Sequence, residues 1–438
     1  METVKKTSLF VLVICIYLMN IKVLGYAAYF GESETVKNTI VINSKGEVDG
    51  NSKAYLLSGM KFNKIVKSLV NGKNMDYDDM DEKVITIQWT NAVPPESTSA
   101  IVSKEDSPSV IEVFFEAESG TLYLVNPDQA EVYMDTDSSY IFNSFASLEE
   151  IDLSLFKTDE VTNLEGMFAY CYCLKNANMD GWNVEHVTDL SSVFILCKAL
   201  ESVSTKGWNP CSVTETDSMF SMCDVLQTVD FADWNTACLE STYYMFSSCT
   251  SLVDIDLSGW NTNKLTTAQR MFDDCLVLET VNLQGWQTGN LTNTSNMFRN
   301  TRKMKEIRLD NFDMSSITSK GSMMYRVAYT SKSCRIYCTE QTKSVLLSGT
   351  SITTSYFTFI HPQTAATLSL SRKTENAKPE HAASGSNAVK VPVASGSNAV
   401  KAPVVNGSNT VNVPVASDSN AMKQELAVLT ELGETKRD

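Results

Sequence analysis

Three aspartates near the middle of the chain are the residues best placed to do chemistry. Asp254 and Asp256 lie in the alternating segment VDID, and Asp230 stands 26 residues before Asp256. Side chains two residues apart on a strand share one face and lie about 7 Å apart, which the acid and base of a glycosidase could use. Stacked carboxylates also repel one another unless a cation or a basic partner offsets their charge. The same residues could therefore bind a ligand without catalysis.

Five cysteines at a constant spacing of 26 residues are the other reactive candidates: Cys171, Cys197, Cys223, Cys249 and Cys275. One thiol per repeat gives a line and not the tetrahedron that zinc needs. Neighbours could come within disulfide range, but five in a column cannot all pair, and parallel side chains are poorly oriented for a bridge. We therefore expect free, buried thiols that act as small apolar fillers. A Cys211–Cys238 bridge on consecutive bends and a Cys334–Cys338 bridge remain open.

The chain has few histidines for catalysis or metal binding. The chain has three histidines, and among the repeats only His186 occurs. The sequence contains no His-Glu-x-x-His, no phosphate-binding glycine loop and no Gly-x-Ser-x-Gly elbow. We therefore expect no cofactor, no metal site and no His-based triad, and we place His186 in a solvated bend.

The cysteines belong to a repeat of 26 residues with two aromatic columns. The phenylalanine column is Phe142, Phe168, Phe194, Phe220, Phe246, Phe272 and Phe298, followed by Met324, and the tryptophan column is Trp182, Trp208, Trp234, Trp260 and Trp286, flanked by Phe156 and Phe312. Self-similarity at a fixed period is typical of a solenoid. We predict a leucine-rich-repeat-like or β-solenoid array of about seven to eight coils, with the aromatic rings and thiols as its core.

Each unit begins with a short strand in the prediction. Leu252, Ile255 and Leu257 point inward, so alternation places Asp254 and Asp256 on the outside. Parallel stacking of these strands produces a flat, polar, mildly acidic face. Its candidate binding residues are Asp152, Asn178, Asp230, Asp254, Asp256, Asn282 and Arg308. The asparagine that follows four tryptophans of the column is interpreted as a turn residue; these are Asn183, Asn209, Asn235 and Asn261.

The remaining sequence predicts five segments. Residues 1–28 have the layout of a signal peptide, with Lys5 and Lys6 before an apolar stretch, and no second stretch of spanning length follows. Residues 29–118 are expected to form an α+β N-terminal cap, with a helix in 53–70, a strand in 83–89 and a hairpin around Gly120. Residues 119–330 are the array, and 331–362 a C-terminal cap with strands at RIY and SYFTFI. Residues 363–438 repeat Ser, Asn, Gly, Pro and Val at a period of 11 and predict a disordered tail.

The charge balance limits the partners. The chain has 36 basic and 52 acidic residues, a net charge of −16. That acidity argues against nucleic acid as the partner and against attachment to anionic lipid.

The units SLVDIDLSGWNTNKLTTAQRMFDDC and VLETVNLQGWQTGNLTNTSNMFRNT resemble the BspA-like leucine-rich-repeat surface proteins, whose units read SL..IDLS.WNTS.VTNMS.MF..C. The resemblance covers roughly Leu122–Met324. It implies an exported or surface-attached protein that adheres to host or matrix proteins, with no catalytic residues. The chain departs from many relatives because it lacks a recognisable C-terminal wall-sorting motif.

Three functions follow from these patterns. The favoured one is a secreted or cell-surface protein that binds an extracellular protein or glycan on its sheet face, without catalysis and without a transmembrane span after signal removal. The alternative is a structural spacer or coat protein, whose repeats set length. The remote alternative is a carbohydrate-cleaving enzyme that uses Asp230, Asp254 and Asp256.

Overall fold

The structure, a computed structural model, describes residues 52–92, 99–232, 234–348 and 354–362. The predicted signal peptide (1–28), the first part of the predicted cap and the predicted tail (363–438) lie outside these residues. Within the described ranges, no helix is both long and apolar enough to cross a lipid bilayer.

The first described part of the chain folds into one helix and two small sheets. Its elements are β1 (Lys53–Tyr55), α1 (Gly59–Asn71), β2 (Thr86–Thr90), β3 (Ser99–Ile101), β4 (Glu112–Glu116), β5 (Thr121–Val125), β6 (Glu131–Tyr133), β7 (Glu150–Ile151) and β8 (Phe156–Lys157). The sheets have the orders β3-β4-β5-β2-β7 and β1-β6-β8. The predicted hairpin is confirmed, since β4 and β5 pair antiparallel around Gly120.

Two boundaries differ from the prediction. The helix predicted over 53–70 begins only at Gly59, because residues 53–55 form β1 and pair in parallel with β6. Gly59 has no room for a side chain, since an added Cβ would lie 2.1 Å from the Ser139 carbonyl oxygen. The array was predicted to start at 119, but β5 pairs with both β4 and β2 and so belongs to the N-terminal sheet. Backbone pairing between units begins at Asp137, which bridges to Asn163.

From there the chain stacks unit on unit through parallel strands. These are β9 (Asn176–Asn178), β10 (Ser202–Ser204), β11 (Asp254–Asp256), β12 (Thr280–Asn282), β13 (Glu306–Leu309), β14 (Cys334–Cys338) and β15 (Phe357–Ile360), with α2 at Glu340–Leu347 and a 3-10 turn at Thr354–Tyr356. Ile255 pairs with Val281, and Val281 with Ile307, so the register advances by one repeat per strand. β14 and β15 extend the same sheet. β14 contains the strand predicted at RIY, whereas β15 covers only the FTFI part of the strand predicted at SYFTFI, because Ser355 and Tyr356 lie in the 3-10 turn.

A second backbone ladder runs through the Met-Phe segments. The Phe168 N–H donates to the Val193 carbonyl of the next unit at 2.8 Å, whereas the Met167 N–H donates within its own unit, to Leu164. With this alternation, a residue of left-handed backbone conformation stands two positions before and two positions after each phenylalanine of the column and Met324. They are Tyr140, Ser144, Gly166, Tyr170, Ser192, Leu196, Ser218, Met222, Tyr244, Ser248, Arg270, Asp274, Asn296, Asn300, Ser322 and Arg326. Each non-glycine member costs roughly 1–2 kcal/mol, so the hydrogen bonds between units must offset that strain.

The two aromatic columns stack between these ladders. Neighbouring phenylalanine rings from Phe142 to Phe298 lie 5.4–5.7 Å apart between centroids. The rings of Trp208, Trp234, Trp260 and Trp286 lie 5.9–6.4 Å apart. All of these side chains are buried, as is Trp182. Burial contributes roughly 1.5–3 kcal/mol per ring, and the offset stacking adds about 0.5–1.5 kcal/mol per pair.

Each thiol of the cysteine column donates a hydrogen bond as well as filling space. The Sγ atoms of Cys171, Cys197, Cys223, Cys249 and Cys275 lie 3.0–3.1 Å from the phenylalanine carbonyl oxygen 29 residues earlier. The prediction of a mere apolar filler was therefore incomplete, because each thiol also ties its unit to the preceding one.

The ten cysteines of the described ranges are free. Cys334 and Cys338 lie at the two ends of β14, about 13 Å apart along an extended strand, so the bridge considered for them cannot form. Cys211 lies 3.7 Å from the Glu185 carbonyl and Cys238 lies 3.6 Å from the Lys264 ammonium, so that bridge is absent as well.

Burial should make the column unreactive. It raises the pKa of the Cys171 thiol to about 12 and that of Cys197 well above its usual value, and thiolates are the reactive form. We expect native protein at pH 7.5 to take up maleimide at the partly exposed Cys173, Cys211 and Cys238, and the column to react only after unfolding. Mass spectrometry of labelled peptides measures this, in a variant with Cys15 replaced by serine. Native labelling of Cys223 or Cys249 would contradict the buried column.

Candidate functional site

A groove opens on the sheet face where one strand of the series is missing. Thr228–Asp230 lie at the repeat position of a strand but form none, so the sheet is interrupted between β10 and β11. The resulting groove, here the central groove, has a volume of about 780 Å³. Its polar lining is Thr228, Asp230, Asp254, Asp256, Ser258, Thr280 and Asn282, and Phe231 and Trp260 also line it.

Phe231 accompanies this break in the sheet. Other units carry an aliphatic residue at the same position, such as Leu257 and Leu283, or Thr205. The Phe231 ring packs edge-on against Trp234 and Trp260, with centroids 4.8 and 5.4 Å away. An aromatic wedge thus joins the tryptophan column at the unit that lacks its strand.

Hydrogen bonds hold the carboxylates of the central groove in place. Asp254 accepts from the Thr280 hydroxyl. Asp256 accepts from the Asn282 amide at 3.0 Å and from the Ser258 N–H at 2.9 Å. Partial burial acts to raise the pKa of Asp256, but the bonds from Ser258 and Asn282 and the charge of Arg308 outweigh it and lower the pKa. Asp256 is therefore a fixed anion at neutral pH.

Most of the predicted binding residues share a structural role. Their side-chain oxygen accepts the backbone N–H two residues later, which closes the turn after the strand. This bond is present at Asp152, Asn178, Asp230, Asp256 and Asn282, at 2.9–3.1 Å. Aspartate and asparagine both supply the oxygen acceptor that this turn needs, and their recurrence at one position of the repeat was the signal in the sequence. The charge, by contrast, is not needed for the turn.

The seven predicted residues are not all brought together. Asp230, Asp254, Asp256 and Asn282 line the central groove. Asp152 and Asn178 line a second groove of about 590 Å³, here the N-terminal groove, together with Phe156 and Trp182. Arg308 pairs with Asp310 at 2.8 Å, and its guanidinium lies 4.6 Å from the Tyr337 ring centroid.

The chemistry of the central groove suits binding better than proton transfer. A glycosidase needs one carboxylic acid whose pKa is raised, so that it can donate a proton at neutral pH. Asp256 has the opposite shift, and Asp254 is already engaged by a hydroxyl. His186, as predicted, lies exposed in a turn. Within the described ranges, no three His, Cys, Asp or Glu side chains are grouped to hold a metal ion.

Two overlapping stretches of the stack match a known family. Residues 136–254 and 226–337 are similar to the family described as "Mycoplasma protein of unknown function, DUF285". That family is associated with BspA-like repeat proteins. No curated protein matches the chain. The similarity concerns the repeat units and assigns them no activity.

A buried charge cluster lies beside the phenylalanine column, and sequence reasoning missed it. The Asp273 carboxylate is 2% exposed and accepts from Arg299 Nε at 2.6 Å, while Arg270 lies 3.6 Å away. Burial raises the pKa of Asp273 to about 6, although the hydrogen bond and charge of Arg299 act against that rise. The sequence does contain a signal for this cluster, because Asp273 and Arg299 carry opposite charges at the same position of adjacent units.

This raised pKa predicts how stability depends on pH. An acid whose folded pKa lies above its unfolded value of about 4 stabilises the fold most when protonated, and this contribution is lost as pH rises from about 4 to 6. We therefore compare the free energy of unfolding of wild type with that of Asp273→Asn. The value for wild type should fall relative to the variant by up to about 3 kcal/mol as the pH rises through this window. Urea unfolding at several pH values measures it. A difference that stays constant or increases with pH would contradict the buried, proton-retaining Asp273.

Proposed function

We propose that this chain is a secreted or cell-surface protein of the BspA-like leucine-rich-repeat type, and that it binds an extracellular protein or glycan at the central groove without catalysis. The proposed architecture is a solenoid of stacked 26-residue units. The similarity of residues 136–337 to a repeat family associated with BspA-like proteins supports the assignment to that type. The observation that carries the binding role is the central groove itself.

Three properties of the central groove favour a binding role. Its carboxylates are exposed at Asp230, Asp254 and Asp256, yet they are fixed by hydrogen bonds, so a ligand would pay little entropy to order them. Hydroxyl and amide groups from Thr228, Thr280 and Asn282 alternate with the carboxylates. Such a lining offers acceptors for the amino groups of a basic protein segment and for the hydroxyls of a glycan.

The spacer alternative differs in what it requires of the groove. A spacer needs only the stack of units, so the charge of Asp230 and Asp256 would be irrelevant to it. The turn bonds of these two residues need an oxygen acceptor but no charge. Replacing both with asparagine therefore removes the charge while keeping the turns, which separates the two readings.

The test is binding of the full chain to purified matrix proteins and to a glycan array. We expect Asp230→Asn with Asp256→Asn to weaken the binding found for wild type by about tenfold or more, since charge-assisted hydrogen bonds are lost. The control is Asp152→Asn with Asp180→Asn, which removes two carboxylates from the N-terminal groove. Circular dichroism and thermal unfolding establish that both variants keep the fold.

Each outcome decides between the readings. Loss in the central variant alone supports the proposal, and loss in the control alone moves the site to the N-terminal groove. Binding that neither variant changes, or no binding to any probe, contradicts the proposal and favours a spacer. Release of reducing sugar from the array glycans, abolished by the central variant, would favour the hydrolase alternative.

A further inference from the structure

The last part of the stack has a charge opposite to that of the whole chain. The net charge of the protein is −16, yet residues 299–343 contain ten basic and four acidic residues. The basic residues are Arg299, Arg302, Lys303, Lys305, Arg308, Lys320, Arg326, Lys332, Arg335 and Lys343. A local reversal of this size favours a local anionic partner.

Half of these cations are already neutralised. Arg299, Lys305, Arg308, Arg335 and Lys343 each lie within 3.0 Å of a carboxylate oxygen. For the other five, the described part of the chain places no carboxylate within 4.0 Å. These are Arg302, Lys303, Lys320, Arg326 and Lys332. Arg302 in addition has a buried Nε atom without a hydrogen-bond partner.

Four of the five are joined by the fold into one surface. The Arg302 carbonyl accepts the N–H groups of Thr330 and Ser331 at 2.8 and 3.2 Å, which brings Arg302 and Lys303 beside the segment that carries Arg326 and Lys332. Tyrosines lie among them: Tyr325 is 37% and Tyr329 is 53% exposed. We call this surface the basic–aromatic patch; it comprises Arg302, Lys303, Tyr325, Arg326, Tyr329 and Lys332.

The repeat explains why this patch is left unpaired. Between the two preceding units, Arg299 forms an ion pair with Asp273, and the Asn300 amide donates to Asp274 at 2.7 Å. At the same two positions of the next unit stand Tyr325 and Arg326. Arg326 therefore follows an asparagine in its column and has no acidic neighbour at the equivalent position of the preceding unit.

The tyrosines hold the cations at the surface. Lys332 Nζ lies 4.0 Å from the Tyr329 ring centroid, 4.6 Å from that of Tyr356, and donates to the Tyr356 hydroxyl at 2.9 Å. The Arg326 guanidinium lies 5.1 Å from the Tyr325 centroid. Cation–π contacts fix both charges without neutralising them, so they remain available to an external anion.

We propose that the basic–aromatic patch is a second binding site, separate from the central groove, for a sulfated or uronate-containing glycan. Unneutralised cations recognise the sulfate or carboxylate groups, and the exposed tyrosine hydroxyls and ring edges can accompany the sugar hydroxyls. Stacked nucleobases need free ring faces, and a cation already covers one face of each of these tyrosines, which leaves fewer faces for stacking. A membrane would need exposed Trp, Phe or Leu side chains, and the exposed apolar residues of the patch are tyrosines.

The test compares two double variants of the full chain. Arg326→Ala with Lys332→Ala removes two unpaired cations of the patch. The control, Lys305→Ala with Arg335→Ala, removes two exposed cations that pair with Glu279 and Glu306, so both variants change the net charge equally. The probe is heparin, with hyaluronate as the carboxylate-only glycan, dextran as the neutral one, and poly-glutamate and phosphatidylserine vesicles as other anions.

We expect heparin to bind wild type with an affinity that falls steeply with salt, with a logarithmic slope of about −3 if four cations take part. The patch variant should bind at least about tenfold more weakly, and the control within about twofold of wild type. Dextran should not bind. Equal losses in both variants, stronger binding of poly-glutamate or vesicles than of either anionic glycan, or no heparin binding by wild type would each overturn the proposal. Because the Asp230 and Asp256 variants leave the patch intact, they should keep heparin binding even if the proposed function of the central groove fails.

Discussion

The backbone hydrogen bonds between successive 26-residue units are the constraint on which the rest of the structure depends. Two ladders carry them, the parallel strands of the sheet face and the left-handed turns around each phenylalanine. Because both ladders advance by one repeat, side chains at paired positions lie beside their counterparts in the neighbouring unit, and the interrupted strand position at Thr228–Asp230 is the exception. A column of equal residues in the sequence therefore becomes a stack of equal side chains in space.

That constraint gives individual residues more than one role. Each cysteine of the column fills core space and donates to a phenylalanine carbonyl of the preceding unit. Each Asp or Asn after a strand closes a turn, and at the central groove the same residues present charge to solvent. Residues that recur with the repeat therefore have a structural role, since each one closes a turn or makes a contact that every unit needs. Residues that depart from the pattern, such as Phe231, are not required by the repeat itself.

The two proposed sites are both departures of this kind. The central groove lies where a unit forms no strand, and the basic–aromatic patch lies in the unit where the contact between Asp273 and Arg299 is not repeated. Their charges are opposite, although the chain as a whole is strongly acidic. In a linear stack, sites in different units can be altered separately, because each unit contacts mainly its neighbours.

The sequence by itself determined the period, the residues of each column and the inward or outward side of each strand position. It could do so because side chains alternate along a strand and the repeat has no insertions from Phe142 to Phe298. Only the tertiary structure decided that β5 joins the N-terminal sheet, that the strand at Thr228–Asp230 is missing, and that Asp273 is buried against Arg299. It also decided that the thiols reach phenylalanine carbonyls. These features depend on distances between atoms of different units, which a spacing of residue types along one chain does not contain.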